Sequence, residues 1–276
     1  MIYYIALIIR VRQVADTRGA AVLKNGYFMR SIFYLVVCGV LFIETAVADD
    51  GALYKILETV SHDSSYFTQG LELSDGVMYE SSGLYGQSRI RKYFPAKDTA
   101  LAESTLSRKY FAEGLTLLND ELFVLTWKEN KVLVYDPDDF SLKREMTYDG
   151  EGWGLANNGK QIIMSNGSST IYFRDPSTFE IKHEINVSNQ QHPVKRINEL
   201  EFAEGYLWAN IWRSTYIVKI NPITGKLAGA YDLIDLVKKH SSANDERVLN
   251  GIAWDNEKRA FWVTGKLWSE RYLVKF

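Results

Sequence analysis

The chain has 276 residues, of which 32 are basic, 34 are acidic and 46% are hydrophobic. Because the charges nearly balance, electrostatics favours neither nucleic acid nor an anionic membrane surface as a partner. Aromatic residues make up 13% of the chain, with 17 Tyr and 7 Trp, whereas only 5 residues are Pro. This balance is typical of a strand-rich globular protein.

The N-terminal region carries an export pattern. Residues 29–31, Met-Arg-Ser, precede an apolar stretch at 32–43, and Ala46-Val47-Ala48 follows shortly before Asp49. A charged start, a short apolar core and a small-x-small site are typical of a secretory signal peptide. The apolar core is too short to span a membrane comfortably.

This pattern predicts three segments: an upstream extension at 1–28, a signal peptide at 29–48, and one exported domain at 49–276. An uncleaved anchor is the alternative, since residues 2–9 are apolar as well. The single cysteine, Cys38, falls inside the signal, so the mature domain would have no thiol for a nucleophile, a disulfide or a zinc ligand. The expected location is the periplasm or the outside of the cell.

From about residue 53 onward, one plan recurs about every 40 to 50 residues, a period typical of propeller blades. Each copy contains short β-branched or aromatic segments separated by Asp/Asn-Gly or Asp-Pro turns, as expected for successive antiparallel strands. The five copies begin at Gln69-Gly70-Leu71, Glu113-Gly114-Leu115, Trp153-Gly154-Leu155, Asn198-Glu199-Leu200 and Asn250-Gly251-Ile252.

The repeats predict an all-β chain that folds as a five-bladed β-propeller, because radial packing buries both faces of each sheet and protects its edges. Residues 53–60 are expected to add a strand to the last blade and close the ring. Residues 232–240 read as a short amphipathic helix between the fourth and fifth copies. A β-sandwich or an open sheet is the alternative, although neither requires such repetition.

Chemistry is expected where one copy carries a residue that the shared scaffold does not require. A first set of such residues, directly before the Gly-Leu position and predicted to face one end of the central channel, is Gln69, Glu113, Trp153, Asn198 and Asn250. A second set, predicted at the ends of the second strands and facing the same mouth, is Glu80, Trp127, Ser165, Trp212 and Lys266. Tryptophans near strands are more often core residues, but three at equivalent positions favour a pocket wall.

A zinc site is not indicated by the histidines. They show none of the close spacings that zinc ligands require, so each is expected at the surface. The four are His62, His183, His192 and His240.

Several motifs in one order resemble the plant- and bacterial-type glutaminyl cyclases, and the resemblance covers essentially all of the chain from about residue 53. It implies a five-bladed propeller enzyme that converts N-terminal glutamine of peptides or proteins into pyroglutamate and releases ammonia, without the zinc of the animal-type enzymes. The motifs are Phe67-Thr-Gln-Gly-Leu71, Tyr79-Glu-Ser-Ser-Gly-Leu-Tyr-Gly86, Phe111-Ala-Glu-Gly-Leu-Thr116, Leu125-Thr-Trp-Lys128, Gly150-Glu-Gly-Trp-Gly154, Asn198-Glu-Leu-Glu201 and Thr264-Gly-Lys266.

The resemblance implies that Glu113 is the catalytic acid/base and that Asn198 and Lys266 contact the substrate amide. It implies no cofactor, and it leaves open a structural ion in the central channel. One departure is Asn166, where the family would lead us to expect Asp, and this puts a local charge role there in doubt. The implied substrate-binding residues are Phe67, Gln69, Trp127, Trp153 and Trp212.

These residue types suit the chemistry. The α-amine of the peptide must attack its own γ-carbonyl, so a carboxylate such as Glu113 can accept the amine proton and later deliver it to ammonia. Lys266 and an N–H of Asn198 can stabilise the negative charge that builds on the γ-oxygen. An aromatic box that folds the Gln side chain contributes by orientation, because the reaction is intramolecular.

Two alternatives remain open from the sequence. A non-catalytic propeller that binds peptides or another protein would keep Trp127 and Trp212 without needing Glu113 and Lys266 together. A calcium-dependent hydrolase or lactonase would need several carboxylates at one end of the channel, and the two sets supply few. The expected partners are peptides or proteins with N-terminal glutamine, with no nucleic acid and no stable membrane span after signal cleavage, and the expected state is a monomer.

Overall fold

The computed structural model describes residues 54–241 and 246–276, and this part of the chain is almost entirely β-structure. The predicted extension at 1–28, the signal peptide at 29–48 and Cys38 lie outside the described residues, so those predictions stand untested. The strands are β1 Lys55–Ser61, β2 Thr68–Ser74, β3 Val77–Ser82, β4 Arg89–Tyr93, β5 Ala100–Thr105, β6 Ala112–Leu118, β7 Glu121–Thr126, β8 Lys131–Tyr135, β9 Leu142–Thr147, β10 Leu155–Asn157, β11 Ile162–Met164, β12 Thr170–Arg174, β13 Ile181–Asn186, β14 Ser188–Asn189, β15 His192–Pro193, β16 Ile197–Ala203, β17 Tyr206–Ile211, β18 Tyr216–Ile220, β19 Leu227–Asp232, β20 Leu249–Asp255, β21 Ala260–Gly265 and β22 Glu270–Lys275.

These strands form five four-stranded antiparallel sheets, which are the blades of a β-propeller. The first four blades run from the inside outward in chain order, as β2-β3-β4-β5, β6-β7-β8-β9, β10-β11-β12-β13 and β16-β17-β18-β19. A two-stranded hairpin, β14-β15, connects the third and fourth blades. The predicted five-bladed fold is confirmed.

The ring closes through the first strand of the chain. In the fifth blade, β20-β21-β22 are joined by β1 as the outermost strand, and β1 pairs antiparallel with β22 from Lys55 opposite Lys275 to Ser61 opposite Glu270. The expected closing strand is therefore present, and it runs one residue further than predicted at its C-terminal end. Because both ends of the domain share one sheet, closure leaves no open edge between the first and last blades.

Apolar packing lies between the blades. The inner strands are buried along almost their whole length, whereas the outer strands β5 and β9 alternate between exposed and half-buried residues. Five hydrophobic clusters fill the spaces between neighbouring blades. The cluster between the fifth and first blades, for example, packs Leu71 and Met78 against Trp262 and Leu273. Each blade is thus stabilised mainly by its neighbours.

The Gly of the Gly-Leu repeat is required by the close approach of adjacent inner strands. A Cβ at Gly70 would overlap the backbone nitrogen of Leu115, and one at Gly114 would overlap that of Leu155. This explains the Gly of these copies, whereas the fourth copy has Glu199 at the same position, with its carboxylate accepting from the N–H groups of Leu71 and Ile252.

The predicted helix is α1, Ile234–His240, which is packed by Leu236 into the cluster between the fourth and fifth blades. His183 and His192 are exposed as expected, but the expectation is wrong for His62 and His240, which are 4% and 7% exposed. Within residues 54–241 and 246–276, no helix has the length and apolar character needed to cross a membrane.

Candidate active site

One cavity of about 310 Å³ opens at one end of the inner strands, and its wall contains all eight residues that the resemblance implies as catalytic or substrate-binding. It also contains three that sequence reasoning did not assign, namely Leu84, Phe111 and Glu246. Phe111 carries a signal that was available, because it precedes Glu113 by two residues as Phe67 precedes Gln69. The full lining is Phe67, Gln69, Leu84, Phe111, Glu113, Trp127, Trp153, Asn198, Trp212, Glu246 and Lys266.

β-Bulges lie at four of the five first-set residues, and three of these four, Gln69, Glu113 and Asn198, line the cavity. The register between inner and second strands shifts between Thr68 and Gly70, and again between Ala112 and Leu115. The same irregularity recurs in the fourth and fifth blades, at 197–200 and 249–252. A bulge adds a residue on one strand and re-aims its side chain, so the position before Gly-Leu is where the scaffold turns a side chain toward the channel.

The second set follows the second strands, but two of its five predicted members are wrong. The backbone N–H groups of Trp127, Trp212 and Lys266 donate to the carbonyls of Phe111, Arg196 and Val248, which lie two residues before the first-set residue of the same blade. In the first blade, the N–H that donates in the same way to Phe67 belongs to Gly83 and not to Glu80.

In the third blade, Gly167 holds this position in place of Ser165. Ser81 and Ser165 are equivalent, since their hydroxyls each donate over 2.6 Å to the carbonyl of the next first-set residue, Glu113 and Asn198. Both positions two residues later are glycine because a neighbouring ring covers them. A Cβ at Gly83 would overlap the ring of Phe111. At Gly167, where φ is +78°, it would lie 2.6 Å from the ring of Trp153.

Glu80 lies away from the cavity, at the centre of a buried polar network. Its Oε1 accepts from His62 Nε2 at 2.9 Å and from Thr68 Oγ1 at 2.6 Å. Its Oε2 accepts from Arg91 at 2.8 and 2.9 Å and from Tyr93 at 3.0 Å. Burial raises the pKa of Glu80, but the neighbouring His62 and Arg91 outweigh it and hold this pKa well below the ordinary value.

Glu113 and Lys266 are the two ionisable side chains buried in the cavity wall, at 5% exposure each. Burial raises the pKa of Glu113 well above its ordinary value; Lys266 opposes the rise, and Glu151 and Glu129 add to it. Burial lowers the pKa of Lys266 to about 8, against the opposing effect of Glu113. Burial thus disfavours the charged form of each group, and each charge partly offsets this effect on the other.

A chain of amides orients the polar wall. Asn250 Nδ2 donates to the carbonyl of Thr68 at 2.9 Å, which turns its Oδ1 toward Asn198 Nδ2, also at 2.9 Å. Gln69 Nε2 donates to Glu113 Oε1 at 3.3 Å. Among the described residues, no donor reaches Asn198 Oδ1 or Gln69 Oε1, although both are buried. Two buried acceptors in one cavity call for a ligand with N–H groups.

Aromatic rings form the rest of the wall. Trp153 and Trp212 meet edge-on with centroids 5.6 Å apart, and Phe111 lies 5.5 Å from Trp127 and 6.3 Å from Phe67. The Lys266 ammonium lies 4.5 Å from the Phe67 ring centre. Such a wall excludes water and fits a flat, uncharged group such as a carboxamide.

A metal centre is not evident in this region. Nowhere in residues 54–241 and 246–276 do three or more His, Cys, Asp or Glu side chains group so as to hold an ion. Two other inner-strand carboxylates are bound to the backbone: Glu199 accepts from the N–H groups of Leu71 and Ile252, and Glu201 from that of Trp254.

Comparison with known proteins agrees with this geometry. Residues 36–276 match the family described as glutamine cyclotransferase. A glutaminyl-peptide cyclotransferase of Arabidopsis thaliana is 36% identical over 226 residues, which is 80% of this chain and 70% of the relative. The crystal structure of Myxococcus xanthus glutaminyl cyclase superposes with a TM-score of 0.75 at 32% identity, covering 80% of this chain and 95% of that one. The chain belongs to the glutamine cyclotransferase family.

Proposed function

We propose that this protein is a glutaminyl-peptide cyclotransferase, which converts the N-terminal glutamine of peptides and proteins into pyroglutamate with release of ammonia. Family membership supports the reaction. The observation that carries it to this chain is the cavity itself, in which the Glu113 carboxyl lies among aromatic rings with Lys266 and two unpartnered amide oxygens. Peptide substrates fit because the cavity is open at one side, through which the residues after the N-terminal Gln can extend into solvent.

The reaction needs one proton moved twice. Glu113 accepts a proton from the α-amine as its nitrogen attacks the γ-carbon of the same residue, and the new C–N bond closes a five-membered lactam ring. The bond from the γ-carbon to the amide nitrogen then breaks, and Glu113 returns the proton so that ammonia departs. The raised pKa of Glu113 makes its carboxylate a stronger base than an exposed one, which suits acceptance of the amine proton.

The remaining polar groups provide two donors and two acceptors. The Lys266 ammonium can stabilise the negative charge that develops on the γ-oxygen. Asn198 Nδ2 donates one N–H to Asn250 and keeps a second N–H that can donate to the same oxygen, whereas its Oδ1 is unpartnered. We therefore assign Asn198 Oδ1, with Gln69 Oε1, to accept N–H groups of the substrate amine or of the departing amide.

The aromatic wall would supply orientation. Trp127, Trp153 and Trp212, with Phe67, enclose the region between the polar groups. Holding the Gln side chain folded brings the amine and the γ-carbon into contact, and orientation of this kind accounts for a large share of the rate of intramolecular reactions.

The test is ammonia release from a Gln-initiated dipeptide by the purified protein, with and without a chelator. Glu113→Gln keeps the shape of the side chain but cannot accept the proton, so we expect release to fall by about 10²–10⁴-fold. Release that resists the chelator and collapses in this variant supports metal-independent acid/base catalysis. Loss of wild-type activity on chelation would contradict it, and no release from any Gln peptide would instead favour a peptide-binding propeller.

The setting of the enzyme is also a proposal. Export follows from the signal-like segment at 29–48, and we place the mature domain, 49–276, in the periplasm or outside the cell as a monomer without nucleic-acid partners. N-terminal sequencing of the exported protein should begin near Asp49. A mature protein that retains 29–48 would support the anchor instead.

A further inference from the structure

One exposed carboxylate joins two walls of the cavity. Glu151 lies between β9 and β10, and its side chain is 43% exposed. Its Oε2 accepts from the indole N–H of Trp127 at 2.9 Å and from that of Trp153 at 3.1 Å. Its Oε1 faces the ammonium of Lys128 at 3.8 Å. Charge-assisted hydrogen bonds of this length are among the stronger polar contacts in proteins.

The two indoles belong to different blades, because Trp127 follows β7 and Trp153 precedes β10. An indole has a single donor, so an acceptor shared by two indoles fixes their mutual angle. The restraint reaches further, since Trp153 packs against Trp212 and Trp127 packs against Phe111. The orientation of most of the aromatic wall thus depends on one carboxylate that does not line the cavity.

Resting on the function proposed above, we propose that Glu151 is a positioning residue for the cyclisation, holding Trp127 and Trp153 at the angle that encloses the N-terminal glutamine. Misplacing a ring of the aromatic wall would weaken binding of the folded Gln side chain, so we expect KM to rise. We expect the melting temperature to change little. The chain offers the signal in Gly150-Glu151-Gly152-Trp153, where the acid is two residues before the ring it holds.

Glu151 also acts on Glu113 through its charge. The charged groups that face Glu113 are Lys266, which lowers its pKa, and Glu151 and Glu129, which raise it. Neutralising Glu151 without moving the rings should therefore let Glu113 ionise at lower pH. The acid limb of the pH profile of kcat/KM would then move to lower pH.

Three variants separate the effect of Glu151 on the position of the rings from the effect of its charge on Glu113. Glu151→Ala removes both effects, and we expect kcat/KM to fall by about 10–100-fold, mainly through KM. Glu151→Gln keeps an acceptor oxygen for the indoles, so KM should return to near the wild-type value while the acid limb still moves down. Glu184→Gln, on the exposed outer strand β13, is the matched control and should change neither.

A second readout is independent of turnover. The indole ¹H–¹⁵N resonances of the seven tryptophans, with Trp127→Phe and Trp153→Phe for assignment, report the hydrogen bonds to Glu151 directly. In Glu151→Ala, the resonances of Trp127 and Trp153 should shift and the buried Trp262 should stay in place. In Glu151→Gln, all of them should remain near their wild-type positions.

The outcomes are distinguishable. An active wild type with unchanged KM in Glu151→Ala, or with unmoved Trp127 and Trp153 resonances, would overturn the positioning role. If the wild type releases no ammonia from any Gln peptide, the proposed function fails, and the resonances alone decide whether Glu151 fixes the rings. Should Glu151→Ala not fold, Glu151→Asp, shorter by one methylene, takes its place with the same expected shifts.

Discussion

Glu80 offers the sharpest test of the structure, because it is a buried carboxylate whose surroundings are the opposite of those of Glu113. Five donor groups converge on its two oxygens, from His62, Thr68, Arg91 and Tyr93. Both ring nitrogens of His62 face acceptors, the second being the carbonyl of Trp268. Glu80→Gln replaces one acceptor oxygen with an NH₂ group that faces donors. It also removes the closer of two carboxylates paired with Arg91, the other being Asp98 at 3.1 Å.

The size of the effect follows from these contacts. Breaking a buried ion pair by removing one partner costs about 3–5 kcal/mol, and here Arg91 keeps Asp98 as a partner while His62 and Tyr93 lose the charge that accepts their hydrogen bonds. For a domain of this length, 1 kcal/mol lowers the melting temperature by about 2–4 °C, so we expect a decrease of about 6–20 °C. Glu113→Gln should cause no such decrease, since burial already disfavours the charge of Glu113.

The pH dependence provides a second criterion. The pKa of Glu80 is lowered in the folded state, so its stabilising contribution is complete above the unfolded value of about 4.3 and is lost as the pH falls below it. The difference in unfolding free energy between wild type and Glu80→Gln should therefore shrink below about pH 4. Urea unfolding followed by circular dichroism at several pH values measures it.

Two results would refute this reasoning. A melting temperature within 2–3 °C of the wild type, roughly 1 kcal/mol, would mean that the network contributes little. A large loss of stability that is the same at pH 3 and pH 7 would mean that the effect comes from packing and not from charge. A stable variant without ammonia release would instead support the earlier sequence-based expectation that Glu80 belongs to the cavity mouth.

Two further predictions concern Lys266. If its ammonium stabilises the developing oxyanion, kcat for a Gln dipeptide should decline as the pH rises through about 8, where Lys266 loses its proton; a kcat that stays level to pH 10 would contradict this role. Lys266→Met should abolish ammonia release yet melt no lower than the wild type at pH 7. The lowered pKa means that the folded wild type gains stability between about pH 8 and the unfolded value of about 10.4, and thermal unfolding across this range should show the gain only in the wild type.

Much of the architecture could be predicted because the blades of a propeller recur at a regular interval in the sequence. The x-Gly-Leu repeat located the inner strands, since Gly70 and Gly114 lie where adjacent inner strands nearly touch. The variable residue before Gly-Leu located four of the eleven cavity-lining residues, and in three of these four blades a bulge re-aims the side chain. The ring-closing strand was predicted as well, and β1 supplies it as the outermost strand of the fifth blade.

The second set was harder, since the exact end of a strand relative to its partner is a matter of register. A shift of one residue changes the face on which a side chain lies, and Glu80 stands three residues before the correct position, Gly83. Glycine gave no sign of being a site position, because its role there is to leave room for Phe111. The burial of His62 was equally hidden, as its partner Glu80 had been placed at the mouth.

The two glycines also explain how a repeating scaffold yields an asymmetric site. If all five blades carried a large side chain after the second strand, the rings of Phe111 and Trp153 would have no room there. Gly83 admits the ring of Phe111 from the next blade, and Gly167 admits that of Trp153 from its own blade, whereas the other three blades keep Trp127, Trp212 and Lys266. Both rings therefore share the cavity wall with Glu113 and the Lys266 ammonium, so the cavity offers apolar surface to the flat part of a glutamine side chain and charge to its reacting carbonyl.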